Sequence, residues 1–176
     1  MYETSNDLSP TTRQSMIELL NEHLADAIDL QLQAKQAHWN IKGPNFVGLH
    51  ELFDKVAAQA QEYGDEIAER AVALGGVARG TVQAISAQSQ LREYPLDVGD
   101  WRAHVRAIQD ALATFGRGVR KAIDDATALN EADTADLFTE ISRGVDKSLW
   151  MVEAHVQEGP AEAKQAEEPS HSRAAS

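Results

Sequence analysis

Hydrophobic residues recur every three or four positions along most of this chain, which is the spacing of an amphipathic helix. The first such run begins at Ser9-Pro10, a capping residue followed by one suited to the first helical turn, and continues to Trp39. The pair Gly43-Pro44 then interrupts the pattern. A second run reaches Leu74, just before Gly75-Gly76. The short connection predicts that these two helices form an antiparallel hairpin.

The second half of the chain predicts two more helices after a long connection. Residues 77 to 97 lack a sustained helical pattern and predict a crossover, with a short helix from Val82 to Ser89. The helical spacing returns from about Val98 to Leu129, and again from a capping residue at Asn130 to about Gln157. The predicted fold is therefore all-α, a four-helix bundle with a long crossover between helices two and three.

The chain divides into an arm, a bundle and a tail. Residues 1 to 9 are predicted to form a flexible arm, and residues 10 to 157 to form the bundle as one domain. Residues 158 to 176 carry no large apolar side chain, which predicts a disordered tail. No apolar run is long enough to span a membrane, and the start lacks the pattern of a secretory signal. We therefore expect a cytoplasmic protein with no membrane partner.

Composition narrows the chemistry that the chain can perform. Because the chain has no cysteine, disulfides and thiolate sites are excluded, and any metal must be held by His, Asp and Glu. Such ligands suit iron, manganese or zinc. The formal net charge of −12 favours the approach of cations and disfavours nucleic acid.

The second predicted helix carries an ordered set of residues that can bind metals. With His50 placed at 0° around the helix, Asp54 lies at ~40°, Asp65 at ~60° and Glu69 at ~100°. All four share one arc outside the apolar stripe. The pairs His50/Asp54 and Asp65/Glu69 are each spaced i,i+4 and can each grip one ion. The two pairs lie ~16 Å apart along the axis, so one helix cannot bring them together.

Two copies of this helix can combine the pairs. If they lie antiparallel about a two-fold axis between residues 59 and 60, His50 of one copy faces Glu69 of the other, and Asp54 faces Asp65. Such an isologous interface creates two equivalent sites, and His38 at the end of the first helix can reach the half with His50. The rest of the arc is mostly small or apolar, which is typical of a contact surface: Val47, Ala57, Ala58, Gln61, Ala68 and Val72. The spacing alone leaves structural histidines and a solvated acidic face as alternatives.

Several segments are similar to the sequence pattern of one family. They are Lys35 to Asn40, Gly43 to Phe46, Leu49 to Asp54, Asp65 to Arg70, Asp133 to Glu140 and Asp146 to Trp150. They resemble the Dps family, the mini-ferritins also known as DNA-binding proteins from starved cells. The resemblance covers about residues 10 to 157 and implies a ferritin-like bundle assembled as a hollow dodecamer. No Glu-x-x-His pair occurs in that range, so the usual di-iron site inside a bundle is not expected.

The resemblance also implies an activity. By position, His38, His50 and Asp54 of one subunit and Asp65 and Glu69 of its two-fold partner are implied to bind iron. The family's activity is ferroxidation, in which Fe(II) is oxidised by hydrogen peroxide or oxygen and ferric mineral collects in the cavity. No organic cofactor is implied. Because the implied ligands come from two subunits, the predicted activity depends on the predicted oligomer.

Two further features follow from the resemblance. Negatively charged pores on three-fold axes are implied to admit cations, and an acidic cluster near the start of the last helix supplies the candidates: Glu131, Asp133, Asp136 and Glu140. Acids that cap a helix or face its dipole are the alternative. Trp39 follows the ligand His38 and either packs in the core or supports the site.

The termini differ from those of many Dps proteins, which bind DNA through basic tails. The first twelve residues carry Glu3 and Asp7 and no basic residue. The tail from residue 159 carries two basic and three acidic residues: Lys164, Arg173, Glu162, Glu167 and Glu168. Phosphate binding needs clustered positive charge, so we expect weak or absent DNA binding. A DNA-compacting structural protein with minor iron chemistry is the alternative function, and a helical oligomer without chemistry is a second.

This expectation is tested by a gel shift with duplex DNA at physiological salt. The DNA is expected to migrate unretarded, because neither terminus offers the clustered cations that release counterions from the phosphates. Retardation that disappears as salt is raised would contradict the expectation.

Overall fold

Five helices account for the regular structure of residues 1–158, the part of the chain that the computed structural model describes. They are α1 (Pro10–Asn40), α2 (Phe46–Ala73), α3 (Val82–Gln88), α4 (Trp101–Ala128) and α5 (Ala132–Glu153). The four long helices form the bundle and α3 lies in the crossover, which confirms the predicted all-α fold. The predicted disordered tail lies, apart from Glu158, outside the described residues. Within residues 1–158, no helix is long and apolar enough to cross a membrane.

The helix ends follow capping chemistry, with one correction to the sequence prediction. At the start of α1, the Ser9 hydroxyl accepts a hydrogen bond from the Thr12 N–H at 3.1 Å. The prediction that Asn130 caps the last helix is wrong. Asn130 has φ 55°, a left-handed conformation that asparagine tolerates better than most residues, and it closes the turn after α4. Glu131 caps α5 instead, since its carboxylate accepts from the Thr134 N–H at 2.9 Å.

The core consists of the predicted apolar stripes, which include Leu20, Leu24, Leu49, Phe53, Ile67, Ile108, Phe115 and Ile141. Phe46 is 43% exposed, because it lies in the first turn of α2 at the end of the bundle. One prediction on α2 is wrong: Ala57 was placed on the contact surface but is 2% exposed, because it lies at the edge of the apolar stripe. Phe138 of α5 is fully buried.

Polar side chains of α1 hold the crossover against the bundle. The buried Asn21 amide donates to the Val77 carbonyl oxygen at 3.1 Å, and its oxygen accepts from the Arg79 N–H at 2.8 Å. Five residues later, the Asp26 carboxylate accepts from the Gln90 N–H at 2.7 Å. These bonds satisfy backbone groups that the irregular link cannot pair within itself. The crossover therefore has a defined path although it lacks regular structure over most of its length.

Gly144 on α5 lies directly against the buried Tyr63 of α2, and a Cβ atom at Gly144 would overlap the tyrosine hydroxyl oxygen. We expect Gly144→Ala to lower the free energy of unfolding by about 1–3 kcal/mol, which is the usual cost of overpacking a core. The midpoint of urea unfolding measures this change.

Gly48→Ala is the matched control, because nothing lies within 4 Å of a Cβ at Gly48 and alanine favours a helix. The control should unfold at the wild-type midpoint or above it. Equal midpoints for the two variants would show that α2 and α5 do not meet as described.

Candidate metal centre

The end of α1 and the start of α2 bring two histidine rings face to face. The ring centroids of His38 and His50 are 3.7 Å apart, with an interplanar angle of 20°. Nδ1 of His38 lies 2.7 Å from the carbonyl oxygen of His50, and Nδ1 of His50 lies 2.9 Å from the carbonyl oxygen of His38. A carbonyl oxygen only accepts, so both Nδ1 atoms carry protons. Nε2 is therefore the nitrogen of each ring through which the histidine can bind a metal.

The turn between α1 and α2 makes this arrangement possible. Gly43 adopts φ 105°, a conformation that glycine takes at little cost. The chain reverses between Asn40 and Phe46, so the last turn of α1 lies beside the first turn of α2. Phe46 covers the outer side of the pair, with its ring centroid 5.1 Å from that of His50. The glycine in the turn is thus what places the two histidines in register.

Asp54 lies one turn after His50 and is held by a lysine. Nζ of Lys35 is 2.7 Å from Oδ1 of Asp54, and Nδ1 of His38 is 4.0 Å from the same oxygen. The hydrogen bond from Lys35 lowers the pKa of Asp54 below its ordinary value, so the exposed carboxylate is ionised at neutral pH. A metal ion that binds this oxygen competes with the ammonium for it. Sequence reasoning gave Lys35 no role, although it lies three residues before His38 on the same side of α1.

Asp65 and Glu69 are not brought to the histidines within one chain. Both are exposed on α2, and Asp65 lies ~16 Å along the helix axis from Asp54. Among residues 1–158, no three His, Asp or Glu side chains are grouped closely enough to hold one metal ion. The structure stacks His38 on His50 and brings Nδ1 of His38 within 4.0 Å of Asp54, but it does not group the three as a set that holds an ion. The five-ligand site itself stays a prediction.

The face of α2 between the two halves is open in the single chain. Val47 near one end is 65% exposed and Val72 near the other is 54% exposed, while Ala58 and Gln61 between them are also exposed. Large apolar side chains in such positions are usually covered in an assembly. Two-fold pairing through this face stays a prediction that these exposures favour.

The acidic cluster at the start of α5 is smaller than expected. Asp133, Asp136 and Glu140 are exposed. Glu131 is 3% exposed, and its carboxylate accepts from Nη2 of Arg70 at 2.8 Å while it caps the helix. Glu131 therefore joins α2 to α5 instead of offering charge to solvent. The same guanidinium lies 3.6 Å from Asp133 and offsets part of its charge, and the pore stays a prediction.

Trp39 is not a core residue of the single chain. Its side chain is 65% exposed, and Nζ of Lys35 lies 5.7 Å from its ring centroid. The interpretation of Trp39 as a packing residue inside the bundle is therefore wrong for one chain. Its ring lies beside the lysine that holds Asp54, which places it next to the half-site.

This chain is similar to known proteins over most of its length. Residues 17–161 match the family model described as Ferritin-like domain. The DNA protection during starvation protein of Agrobacterium fabrum is 47% identical over 157 residues, covering 89% of this chain and 97% of that protein. The protein of the same name from Mycolicibacterium smegmatis is 31% identical over 150 residues, covering 85% of this chain and 81% of that protein. The solved structure of Mycobacterium smegmatis Dps matches with a TM-score of 0.86 at 30% identity, covering 91% of each chain.

The geometry predicts how Asp54 responds to loss of its partner. In Lys35→Met the ammonium that favours the charged carboxylate is gone, so the pKa of Asp54 should rise towards its ordinary value. The neutral form then appears at a higher pH than in the wild type. A pH titration of the carboxyl carbon of labelled aspartate, followed by NMR, measures the change.

Lys121→Met is the control, because it removes a comparable partner from Asp125, at 2.5 Å, on another helix. It should leave the titration of Asp54 unchanged. If the two variants show the same Asp54 pKa, then Lys35 does not hold the carboxylate in solution.

Proposed function

Because the chain belongs to the Dps family of ferritin-like proteins, we propose that it is a ferroxidase that stores iron and protects DNA by removing Fe(II). The oxidant is hydrogen peroxide, or oxygen, and the ferric product collects as mineral inside a hollow dodecamer. Iron is the substrate and the stored cargo. The proposal requires sites at the interfaces between subunits, because one chain supplies only part of the ligand set.

The histidine pair is the observation that carries the proposal. The mutual hydrogen bonds of His38 and His50 fix both rings in the tautomer with free Nε2 atoms, and Asp54 adds an ionised carboxylate beside them. Two imidazoles and one carboxylate form a set typical of iron, manganese or zinc. Carboxylates and imidazoles are not oxidised in the manner of thiolates, so such a site withstands an oxidant.

The second half of the site comes from a two-fold partner. Asp65 and Glu69 on α2 are exposed and occupy the positions that the symmetry about residues 59 and 60 pairs with Asp54 and His50. The complete proposed site then holds two imidazoles and three carboxylates. Such a set binds both Fe(II) and Fe(III), which a ferroxidase has to accept in turn.

The chemistry consumes two hazardous reactants together. Each of two Fe(II) ions gives one electron to hydrogen peroxide, the O–O bond breaks, and two protons complete two water molecules. Fe(II) and peroxide that meet in free solution instead yield hydroxyl radical through a one-electron step. Protection of DNA in this proposal comes from that removal, and it does not require the protein to bind DNA.

The shared site is tested by mixing two inactive variants. Homo-oligomers of His50→Ala and of Asp65→Ala should each lose peroxide-dependent Fe(II) oxidation, because every site lacks one ligand. If the two variants are co-assembled at equal amounts, about a quarter of the sites recover a full ligand set across the interface, as isologous symmetry requires. The rate of Fe(II) loss, measured anaerobically after addition of peroxide, should recover in proportion.

His155→Ala is the control for the histidine change, because this residue lies in the turn just after α5 and bonds the Met151 carbonyl oxygen at 2.9 Å. It should oxidise iron at the wild-type rate. Circular dichroism and solution mass check that every variant keeps its helices and its assembly. Failure of the mixture to recover activity would show that the ligands do not combine across subunits. Normal oxidation by His50→Ala with Asp65→Ala in one chain would show that the assigned residues are wrong.

A further inference from the structure

A cavity lies on the opposite side of α1 from His38. It measures about 150 Å³ and is enclosed by the end of α1, the crossover and the start of α4. Its polar side chains are those of Gln36, Asn40, Lys42, Tyr94 and His104. None of the described residues that line it is acidic, although the chain has a formal net charge of −12. The lining of the cavity therefore lacks the excess of acidic side chains that the chain has as a whole.

The hydrogen bond between Tyr94 and His104 determines what the cavity offers to a ligand. His104 is 4% exposed, and its Nδ1 lies 2.5 Å from the Tyr94 hydroxyl oxygen. Burial raises the pKa of Tyr94 to about 12, so the phenol keeps its proton at neutral pH. Burial also lowers the pKa of His104, so the ring is neutral. The histidine is the sole hydrogen-bond partner of the phenol within residues 1–158, and the phenol proton would have no acceptor there if Nδ1 donated. We therefore assign the phenol as the donor and Nδ1 as the acceptor.

The proton of the His104 ring is therefore on Nε2. This atom has no hydrogen-bond partner within residues 1–158, and it is not sealed in the core as Nδ1 of His23 is. It is accessible from the cavity that the ring lines. An accessible N–H that has no partner among the described residues can donate to a ligand that accepts a hydrogen bond.

The remaining polar groups point to an anion. Lys42 contributes an ammonium, and the turn that carries it is fixed because Gly43 packs against Trp101, where a Cβ would lie 3.4 Å from Cδ1. Gln36 contributes a further amide, while Asn40 already donates to the Gln36 carbonyl oxygen at 2.8 Å. Asp100 opposes these groups, but its carboxylate is exposed and accepts from the Arg102 N–H at 3.2 Å.

We propose that this cavity binds a small tetrahedral oxyanion of the phosphate class. The His104 N–H and the Lys42 ammonium supply the main contacts, and the Tyr94 hydroxyl holds the imidazole in the donating tautomer. Lysine binds phosphate as a point charge, so it needs no bidentate partner. Ligand pockets for larger molecules usually have volumes of about 300–1,000 Å³, so a nucleotide is too large for this cavity. The site is separate from the proposed iron site and does not depend on ferroxidation.

Calorimetric titration of the assembled wild-type protein with inorganic phosphate, at low ionic strength, tests the proposal. Saturable binding at one site per chain is expected. Lys42→Met should weaken it by about tenfold or more, because hydrogen bonds to charged groups contribute ~1.5–3 kcal/mol. Lys147→Met is the matched control, since Lys147 is equally exposed but lies on α5, and it should bind phosphate as the wild type does.

Tyr94→Phe tests the tautomer argument while preserving the shape of the side chain. It should weaken phosphate binding several-fold, because Nδ1 loses its donor and the ring proton is no longer held on Nε2. Adenosine monophosphate should not compete at concentrations at which phosphate saturates the protein. The proposal is overturned if phosphate does not saturate, if chloride displaces it equally well, or if Lys42→Met and Lys147→Met bind it alike.

Discussion

The mutual hydrogen bonds of His38 and His50 are the constraint on which the proposed chemistry depends. Each ring uses Nδ1 to donate to the backbone carbonyl oxygen of the other residue, so neither ring can rotate without breaking its own hydrogen bond. The bonds also tie the last turn of α1 to the first turn of α2. A turn of different length would move one carbonyl oxygen out of reach. The tautomers of the two rings, their stacking and the path of the turn therefore depend on the same two hydrogen bonds.

Much of the fold could be predicted because helical spacing reports directly which side of each segment is buried. The ends of α1, α2 and α3 differ from the predicted ends by a residue or two at most. Glycine and proline residues, among them Gly43 and Gly75, flank α1 and α2 and made their ends predictable. The start of α5 was wrong because Asn130 and Glu131 are both plausible caps in sequence. The backbone conformation at Asn130 and the hydrogen bond from the Thr134 N–H to Glu131 distinguish them. Spacing likewise could not separate Ala57 from the open face, because a residue at the edge of a stripe can belong to either side.

The candidate site shows a different limit. Helical angles placed Asp54, Asp65 and Glu69 on one arc, and the structure shows all three exposed on α2. Contacts between helices were beyond such reasoning. The ion pair of Lys35 with Asp54 and the burial of Glu131 against Arg70 depend on how two helices are packed, which periodicity within one helix does not report. For the same reason, the pair of Tyr94 and His104 could not be anticipated from residues ten positions apart.

The ion pair of Lys35 and Asp54 has a consequence for how a metal would enter. The carboxylate of Asp54 is already paired with a cation, since the Lys35 ammonium lies 2.7 Å from one of its oxygens. If iron binds here as proposed, it would compete with this resident cation for the carboxylate. A divalent ion that also gained two imidazole ligands would compete better than a monovalent ion without affinity for nitrogen. A side chain of the protein itself would thus make the site selective before any metal is bound.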